Sequence, residues 1–562
     1  MSRPSSIAAD NKIIPLWGRR QWMLLLFIIM LAILLGRAVY LQIMHTEFLQ
    51  NQGDARYLRT VTIPAHRGMI LDRQGEPLAI STPIDSVWVN PKQFVLSQTD
   101  QLVNLLELSA FSVKTLISER QHKEFVYIKR HISPQLALKI KSLNLSGVFL
   151  QREYRRYYPA ANVTSHILGF TDIDDNGLEG LELVYESQLK GVFGEKQVIQ
   201  DKYGRTITEV KSVQIPQDGQ SIILTIDKRV QYLAYKELSY AIQMHHARSG
   251  SAVILDVQTG EILAMVNQPA YNPNNRENLD SEHYRNRAVT DVFEPGSTLK
   301  PFTIMTALMS GQYTAHTLVD TTPGHLQLGQ YTIHDSRNYG MIDLPTIIQK
   351  SSNVGASKIA LSLPKQQLWH ALTQVGFGQL IGSGLSGEVK GHLNHYDHWY
   401  HAEQATLSFG YGISVTLLQL AKAYATLGNR GIVPAVHIRM TEKAITPNNP
   451  IVSEQVAQQV LSMLEKVVQP GGTGAKAQVT GYRVAGKTGT VRKTADKGGY
   501  LENDYIALFA GLIPASKPRL AMVIMIDTPG GDSYYGGDVA APIFAQVMTG
   551  ALRLLNIPPD NL

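Results

Sequence analysis

A long apolar run near the start of the sequence constrains the fold most. Residues 22–36 are all apolar or small, and the run continues to Met44 with Arg37 as its only charge. At about 1.5 Å per residue, residues 22–44 span roughly 34 Å, which is enough to cross a bilayer core of about 30 Å. Arg37 lies toward the far end, where a long side chain reaches the interface. No comparable run recurs, so the pattern predicts a single transmembrane helix over residues 22–44.

The charges before this helix predict its orientation. Residues 1–21 carry four basic side chains and one acidic one, Asp10. Positive flanking segments stay in the cytoplasm, so we expect a cytoplasmic tail at residues 1–21 and export of the rest. A cleaved signal peptide is the alternative, because Gly36 and Ala38 form a small-x-small pattern. The length of the run and Arg37 inside that pattern favour an uncleaved anchor.

Composition excludes several classes of protein. The chain has 562 residues, of which 44% are hydrophobic and 17% charged, so it is not a disordered polyelectrolyte. Its net charge of +6 is spread over the whole length and does not indicate nucleic-acid binding. The absence of cysteine excludes disulfides, thiolate nucleophiles and cysteine-ligated metals. The length favours more than one domain.

Residues 45–219 are predicted to be strand-rich and to contain no catalytic constellation. Short extended segments at residues 60–63, 68–71 and 86–89 alternate with turns. A basic and aromatic cluster at residues 152–158 has two interpretations, nucleic-acid stacking or ion pairs with nearby carboxylates. Export of this domain favours ion pairs.

Residues 220–562 have a different pattern. A predicted strand at residues 221–226 leads to Asp227, an N-cap, and then to apolar residues at helical spacing. Further predicted strands lie at residues 252–257, 261–266, 484–491, 506–512 and 520–526, with helical stretches between them. This order predicts an α+β fold, an antiparallel sheet flanked by helices.

The candidate nucleophile is Ser297 in Ser297-Thr-Leu-Lys300, at the start of a predicted helix. Lys300, three residues later, shares the serine's helix face, so the pair has the spacing of a nucleophile and its base. The N–H groups of the first helical turn are free to stabilise an oxyanion. Lysine acts as a base near neutral pH only where burial or a neighbouring cation lowers its pKa.

The Ser-x-x-Lys motif is not specific by itself. It also occurs at residues 187–190 and 362–365, and Ser-x-Asn occurs at residues 142–144, 336–338 and 351–353. Lys487-Thr488-Gly489, in a predicted strand followed by Thr490, occurs once. Ser-x-x-Lys, Ser-x-Asn and Lys-Thr-Gly in this chain order are typical of penicillin-interacting serine acyltransferases. Ser351-Ser352-Asn353 is the preferred middle motif because small residues that open a helix follow it.

Beyond these motifs, residues 60–562 resemble a class B penicillin-binding protein, most specifically the branch dedicated to cell division. The resemblance is carried by residues 67–75, 156–159, 166–169, 180–182, 481–490, 534–537 and 540–542, and by the late position of Arg37 in the membrane helix. Ser352 replaces the aspartate of the Ser-Asp-Asn motif of class A β-lactamases, which favours a penicillin-binding protein.

The resemblance implies four segments: a cytoplasmic tail (1–21), the transmembrane helix (22–44), a periplasmic, elongated, non-catalytic pedestal (45–219) and a transpeptidase domain (220–562). It implies a single-pass protein of the bacterial inner membrane, at the division septum, with its catalytic domain in the periplasm. The implied function is crosslinking of peptidoglycan stem peptides through a serine acyl-enzyme that β-lactams also form. No metal, organic cofactor or nucleic-acid partner is implied.

The resemblance also assigns roles to individual residues. Ser297 would attack the D-Ala-D-Ala carbonyl and Lys300 would accept its proton. Ser351 would relay a proton to the leaving amine, while Asn353 would hold Lys300 and the substrate. Lys487 would supply positive potential and, with Thr488, Gly489 and Thr490, bind the substrate carboxylate. The N–H groups of Ser297 and Thr490 would form the oxyanion hole.

Alternatives within and near the family remain open. An elongation-type class B enzyme, a D,D-carboxypeptidase or a β-lactam-hydrolysing relative would share the three motifs. A β-lactam sensor is disfavoured because the sequence has no His-Glu-x-x-His, and an inactive scaffold is disfavoured because all motifs are intact. The chain also lacks a glycosyltransferase domain, so the resemblance implies a membrane glycosyltransferase partner resembling FtsW, together with other division proteins.

Overall fold

The computed structural model describes residues 16–561, except residues 96, 98, 201–205, 278–280, 442–448 and 495–498. Most of the predicted cytoplasmic tail, including Arg3 and Lys12, lies outside the described residues. Helix α1 (Leu16–Val39) continues into a π-helical turn, Tyr40–Met44. The stretch Gly18–Met44 contains an 18-residue window with a mean hydropathy of 2.6, and none of that window is buried. Its length and composition therefore fit the predicted membrane helix.

The pedestal contains helices as well as the predicted strands. In chain order its elements are α2 (Thr46–Tyr57), β1 (Leu58–Ile63), β2 (Ile70–Leu71), β3 (Pro77–Val89), α3 (Thr99–Leu106), α4 (Ala110–Glu119), β4 (Val126–Ile132), α5 (Pro134–Ser142), β5 (Val148–Tyr157), α6 (Ser165–Leu168), α7 (Gly180–Val184), α8 (Glu186–Leu189), β6 (Gly194–Gln200) and β7 (Thr206–Gln214). Strands β1, β6 and β7 form one antiparallel sheet. Side chains from α3, α4 and α5 pack against β3 and β4 in a separate core.

A second pedestal sheet reaches across the predicted domain boundary. The strand predicted at residues 221–226 is shorter in the structure: β8 covers Ile222–Ile223 and pairs in parallel with β2, and Leu224 forms an isolated bridge with Arg439. The sheet order is β4-β3-β2-β8, with β5 also paired to β3. Residues directly after position 219 therefore complete the pedestal sheet, and the boundary itself stays a prediction.

A buried ion cluster joins three pedestal segments that carry the family resemblance. Glu182 accepts hydrogen bonds from Arg67 and from Arg156, each at 2.7 Å, and all three side chains are almost inaccessible. Arg67 also pairs with Glu186 at 2.6 Å. Buried carboxylates and guanidinium groups are stable only when paired in this way. Within the basic and aromatic cluster, Arg152 pairs with Asp85 at 2.8 Å, so the ion-pair interpretation accounts for Arg152 and Arg156.

The transpeptidase domain is built on a five-stranded antiparallel sheet in the order β10-β9-β17-β16-β15. Its elements are α9 (Lys228–Met244), β9 (Ser249–Asp256), β10 (Ile262–Gln268), α10 (Arg287–Thr290), α11 (Lys300–Met309), β11 (Leu318–Asp320), β12 (His325–Leu328), β13 (Tyr331–His334), β14 (Met341–Asp343), α12 (Leu344–Lys350), α13 (Asn353–Ser362), α14 (Lys365–Gln374), α15 (His401–Leu407), α16 (Leu417–Gly428), α17 (Glu454–Val468), β15 (Ala485–Thr494), β16 (Tyr500–Ile513), β17 (Leu520–Asp527), α18 (Gly536–Val539) and α19 (Ala541–Leu554). Asp227 caps α9 as predicted, accepting from the N–H groups of Arg229 and Val230.

Both faces of this sheet are covered by helices. Alternate residues of β9 and β17 belong to two different hydrophobic cores, one packed on α9 and α19 and the other on α11 and α16. Because side chains alternate between the faces of a strand, a central strand of a sheet covered on both sides is buried along its whole length, as β9 is. The predicted α+β architecture is confirmed.

Polar contacts fix the transpeptidase domain on the pedestal. The Tyr271 hydroxyl donates to the Ser165 carbonyl at 3.0 Å, and the Asn274 amide donates to the Tyr158 carbonyl at 2.9 Å. Arg73 pairs with Glu261 at 3.1 Å across the same junction. The apolar core on the α11 side of the sheet includes pedestal residues, so the two domains share buried surface.

Candidate active site

The candidate nucleophile lies in a tight turn that opens a buried helix. Residues Gly296–Leu299 form a 3-10 turn, and α11 follows with Pro301 in its first turn, where a missing N–H is tolerated. Ser297 is half-buried, whereas Lys300 is completely buried. The Nζ atom of Lys300 lies 3.0 Å from Oγ of Ser297, so the predicted pair is in hydrogen-bond contact.

Four oxygen atoms surround the Lys300 amine. Besides Ser297 Oγ, they are the Ser351 carbonyl at 2.5 Å, the Ser351 hydroxyl at 3.1 Å and Asn353 Oδ1 at 2.7 Å. A charged ammonium has three N–H groups and no acceptor. A neutral amine donates two hydrogen bonds and keeps one lone pair, which suits acceptance of the Ser297 proton. Burial, and then the positive charge of Lys487, holds the pKa of Lys300 well below its usual value, while Asp335 opposes this shift.

Ser351 reaches Lys300 through an unusual backbone conformation. It ends α12 in the left-handed region, with φ of 60° and ψ of 39°, one residue before Ser352 caps α13. A non-glycine residue there costs about 1–3 kcal/mol, so the surrounding structure must hold it. The conformation turns both the carbonyl and the hydroxyl of Ser351 toward Lys300.

Lys487 approaches the hydroxyl of Ser351 from the sheet. It lies on β15, the edge strand of the sheet, and its Nζ atom is 2.9 Å from Ser351 Oγ and 3.1 Å from the Thr488 carbonyl. The side chain is fully buried, and this burial lowers the pKa of Lys487 to about 7. The structure thus brings together Ser297, Lys300, Ser351, Asn353 and Lys487.

Two glycines allow β15 to pack against the nucleophile turn. A Cβ atom on Gly489 would lie 3.0 Å from Cγ2 of Thr298. A Cβ on Gly296 would lie 2.4 Å from Cγ2 of Val491, and φ of Gly296 is +54°, a region that favours glycine. The strand that carries Lys487 can therefore lie directly beside Ser297.

The other predicted substrate-binding residues continue along β15. The hydroxyls of Thr488 and Thr473 are 2.7 Å apart, and the Gly536 N–H donates to Oγ1 of Thr490 at 3.0 Å. Gly489 lies between the two threonines, so all three follow Lys487 along the strand beside the nucleophile.

The other Ser-x-x-Lys and Ser-x-Asn matches in the sequence make contacts elsewhere in the protein. Lys190 donates to the Asn176 side chain in the pedestal, and Lys365 donates to the Trp399 carbonyl at 2.5 Å. The Ser142 hydroxyl donates to a carbonyl of its own helix. Ser336 bonds to the Tyr339 hydroxyl at 2.8 Å in the turn after β13. In the part of the chain that the structure describes, Ser351-Ser-Asn353 is the middle motif that contacts Lys300.

Two residues beside the site were not predicted. Asp335 accepts hydrogen bonds from Ser352, Asn353 and Val354. Glu294 accepts from the Gly412 N–H at 2.8 Å, and burial raises its pKa. A single acidic residue in a loop has no periodicity, so the sequence offered no signal for either.

An aromatic wall adjoins β15. The rings of Tyr505 and Tyr534 stack at 4.0 Å, and Tyr535 lies next to Tyr534 at 4.6 Å. Tyr534 and Tyr535 belong to a segment that carried the resemblance, but no sequence pattern placed them in the site.

A serine paired with a buried lysine at a helix start, a Ser-x-Asn turn between helices and a Lys-Thr-Gly edge strand define the penicillin-interacting serine acyltransferases. Comparison with known proteins gives the same class. The penicillin-binding protein transpeptidase domain matches residues 250–549, and the penicillin-binding protein dimerisation domain matches residues 62–224. The chain belongs to the class B penicillin-binding proteins.

Individual relatives cover almost the whole chain. It is 42% identical over 539 residues to the peptidoglycan D,D-transpeptidase FtsI of Escherichia coli strain K12, covering 95% of this chain and 91% of that protein. It is 40% identical over 550 residues to the probable peptidoglycan D,D-transpeptidase PenA of Neisseria gonorrhoeae, covering 97% and 94%.

Solved structures agree with these relatives. A peptidoglycan synthetase of Bifidobacterium adolescentis is similar with a TM-score of 0.71 and 25% identity, covering 90% of this chain and 98% of that one. Penicillin binding protein 3 of Mycobacterium tuberculosis, complexed with aztreonam, is similar with a TM-score of 0.69 and 27% identity, covering 89% and 98%.

Proposed function

We propose that this protein is a membrane-anchored peptidoglycan D,D-transpeptidase that crosslinks stem peptides of the septal cell wall during cell division. One observation carries the proposal: Ser297 Oγ lies 3.0 Å from the Nζ atom of Lys300, which is buried and held by Ser351 and Asn353. Relatives named as peptidoglycan D,D-transpeptidases cover nearly the whole chain. Peptidoglycan substrates and β-lactams both suit this family.

In the first half-reaction, Ser297 Oγ attacks the carbonyl carbon between the two terminal D-alanines of a donor stem peptide. The Ser297 proton passes to the neutral amine of Lys300, whose low pKa keeps that form available. The tetrahedral intermediate collapses when the C–N bond breaks. Ser351, which contacts both Lys300 and Lys487, relays a proton to the departing D-alanine amine. An acyl-enzyme ester on Ser297 remains.

In the second half-reaction, a side-chain amine of an acceptor stem peptide attacks the ester. The amine loses a proton to the Lys300–Ser351 pair, the new amide forms, and Ser297 recovers its proton as it leaves. Atoms balance without a cofactor, because one peptide bond is exchanged for another. A β-lactam follows only the first half, since its ring amide opens on Ser297 and the leaving group stays attached.

The β15 segment positions the donor. Lys487, with Thr488, Gly489 and Thr490, binds the terminal carboxylate of the donor, since a lysine beside hydroxyl groups suits a carboxylate. The backbone N–H groups of Ser297 and Thr490 form the oxyanion hole. Asn353 holds Lys300 through its carbonyl oxygen, at 2.7 Å, and also orients the substrate amide.

The membrane topology follows from the anchor. Residues 1–21 are cytoplasmic, residues 22–44 cross the inner membrane, and residues 45–219 form a pedestal that carries the catalytic domain, residues 220–562, in the periplasm. Basic residues Arg19 and Arg20 at the start of the helix support this orientation.

A partner is also proposed, an FtsW-type membrane glycosyltransferase that polymerises the glycan strands. The anchor helix and the pedestal dock on this polymerase, with other division proteins assembled around the pair. The test exchanges residues 22–44 for an unrelated transmembrane helix of equal length. Loss of septal localisation and polymerase stimulation is expected, whereas full retention of both would contradict helix docking.

The nucleophile is tested by intact-mass spectrometry. Detergent-purified protein is incubated with benzylpenicillin beside the Ser297→Ala variant. A stable adduct of one penicillin on the wild type alone is expected, and its slow release distinguishes the protein from a β-lactamase. The absence of an adduct on folded wild-type protein would contradict the assignment of Ser297.

Transpeptidation is then distinguished from hydrolysis with a donor pentapeptide and an acceptor amine. Crosslinked product with D-alanine release is expected. Release of D-alanine without crosslinks would indicate a carboxypeptidase. Localisation of a fluorescent fusion to the lateral wall rather than the septum would indicate an elongation role.

A further inference from the structure

Asp335, which no catalytic motif includes, lies in the loop after β13 and binds the start of α13. Its Oδ1 atom accepts hydrogen bonds from the N–H groups of Asn353 and Val354 at 2.5 and 3.0 Å. Its Oδ2 atom accepts from the Ser352 hydroxyl at 2.6 Å. Ser352 Oγ in turn accepts the Gly355 N–H at 2.9 Å. One carboxylate thus holds the first residues of the helix that follows Ser351.

The same loop also sets the orientation of the Asn353 side chain. The Nδ2 group of Asn353 donates to the His334 carbonyl at 3.0 Å, which directs Oδ1 toward Lys300 at 2.7 Å. Because an amide has one donor end and one acceptor end, anchoring the donor end leaves the carbonyl for the lysine. The dipeptide His334-Asp335 therefore fixes both the backbone and the side chain of Asn353.

Ser351 depends on the same anchor. Its left-handed conformation lies between two helices, and the α12 side is held by hydrogen bonds from the Ser351 and Ser352 N–H groups to Ile348 and Ile347 carbonyls. The α13 side is held by Asp335 through Ser352 and Asn353. A strained residue keeps its conformation only when both sides are fixed.

We propose that Asp335 is a positioning residue for the acyl-transfer reaction, holding Ser351 and Asn353 in contact with Lys300. This inference rests on the proposed function. Asp335 acts through these residues and does not itself contact the nucleophile in the part of the chain that the structure describes.

The negative charge of Asp335, which acts on the pKa of Lys300, distinguishes this positioning role from a purely structural one. The ionisable groups that act on the Lys300 amine are Lys487, on β15, which lowers its pKa, and Asp335, which raises it. Removing the carboxylate charge therefore lowers the pKa of Lys300 further. Since acylation needs the neutral amine, the acidic limb of the pH profile must move to lower pH.

The test measures the second-order rate constant for acylation by benzylpenicillin against pH, on the detergent-purified full chain, with intact-mass detection. For Asp335→Asn we expect a loss of about 10-fold to 100-fold at neutral pH, because small displacements of reacting groups have effects of this size. We also expect the acidic limb to move to lower pH. Asp335→Glu, which keeps the charge but misplaces it, should lose rate without moving the limb.

Asp343→Asn is the matched control. Asp343 is also half-buried and caps a neighbouring helix, accepting the Thr346 N–H at 2.9 Å at the start of α12. This variant should change the acylation rate constant by less than about twofold, although it neutralises the same kind of helix-capping carboxylate. Thermal unfolding of each variant checks that the comparison concerns folded protein.

Three results would overturn the inference. The first is a wild-type acylation rate and acidic limb in folded Asp335→Asn, and the second is an equal loss of acylation rate in Asp335→Asn and Asp343→Asn. The third is an acidic limb that moves in Asp335→Glu as far as it does in Asp335→Asn. If Asp335→Asn does not fold, Ser352→Ala removes one of the three contacts and keeps the charge. It should then lose rate with an unmoved limb, and an unchanged rate would count against the anchor. Failure of wild-type acylation would instead refute the proposed function.

Discussion

Lys300 and Lys487 are both fully buried and approach the same oxygen atom. Their Nζ atoms lie 3.1 and 2.9 Å from Oγ of Ser351, so the two amines are no more than about 6 Å apart. At an effective dielectric constant of about 20, two unit charges at this distance repel by about 3 kcal/mol. This repulsion adds to the lost hydration, and the site favours a state in which at most one lysine is charged.

The first prediction concerns the pH dependence of acylation. Because Lys300 must be neutral to accept the Ser297 proton, the rate should rise with pH through the lowered pKa of this lysine and level off well below the usual lysine value of about 10.4. The measurement is the benzylpenicillin acylation rate constant between about pH 5 and about pH 10. A rate that continues to rise up to about pH 10 would mean that Lys300 is charged at neutral pH.

The second prediction concerns stability. Burial lowers the pKa of Lys487 to about 7, whereas an unfolded lysine has a pKa of about 10.4. Between these values the unfolded chain binds more protons, so the free energy of unfolding rises with pH, by up to about 1.4 kcal/mol per pH unit from this group. The destabilising effect of Lys487 is therefore largest below about pH 7.

The Lys487→Met variant tests whether Lys487 makes the free energy of unfolding rise with pH. The melting temperature of the variant, relative to wild type, should be highest near pH 7 and should fall as the pH approaches 10. A difference that does not change with pH would show that Lys487 does not have a lowered pKa.

The third prediction concerns the approach of β15 to the nucleophile turn. In Gly489→Ala the new methyl would lie 3.0 Å from Thr298 Cγ2, so the strand must move away from the turn. A shift of a fraction of an ångström should reduce the acylation rate constant about 10-fold or more. Gly531→Ala is the control, since its nearest neighbour would be 3.6 Å away, an ordinary contact. Equal rates in both variants would contradict the close approach.

The fourth prediction concerns the pedestal. In Glu182→Gln the guanidinium groups of Arg67 and Arg156 lose their buried anionic partner, which should cost about 3–5 kcal/mol. Glu124→Gln, which removes an exposed pair with Lys92, should cost less than about 1 kcal/mol. Thermal or urea unfolding measures both variants. Acylation of the folded fraction should be unaffected, because the cluster is in the pedestal. A small and similar loss of unfolding free energy in both variants would contradict the role of the buried cluster.

Local sequence patterns predicted the parts of the fold that depend on local spacing. The apolar run, the Asp227 cap and the strands around β9, β16 and β17 follow from hydropathy and periodicity over a few residues. The helices α3, α4 and α5 were missed because they are short and lie among strand signals, although Ser109 and Ser133 cap two of them. The strand predicted at residues 221–226 was too long, since only two residues pair with β2.

The sequence by itself determined which residue types were available and the order in which they occur: a membrane-length apolar helix, Ser297 three residues before Lys300, and one Lys-Thr-Gly motif. It did not determine which surroundings these residues have. Ser351 is 51 residues from Lys300 and 136 from Lys487, and only folding brings the three together. Burial, the left-handed turn at Ser351 and the anchoring by Asp335 are products of long-range packing. They decide the pKa of Lys300, because pKa depends on the charges and solvent around a group and not on its neighbours in sequence.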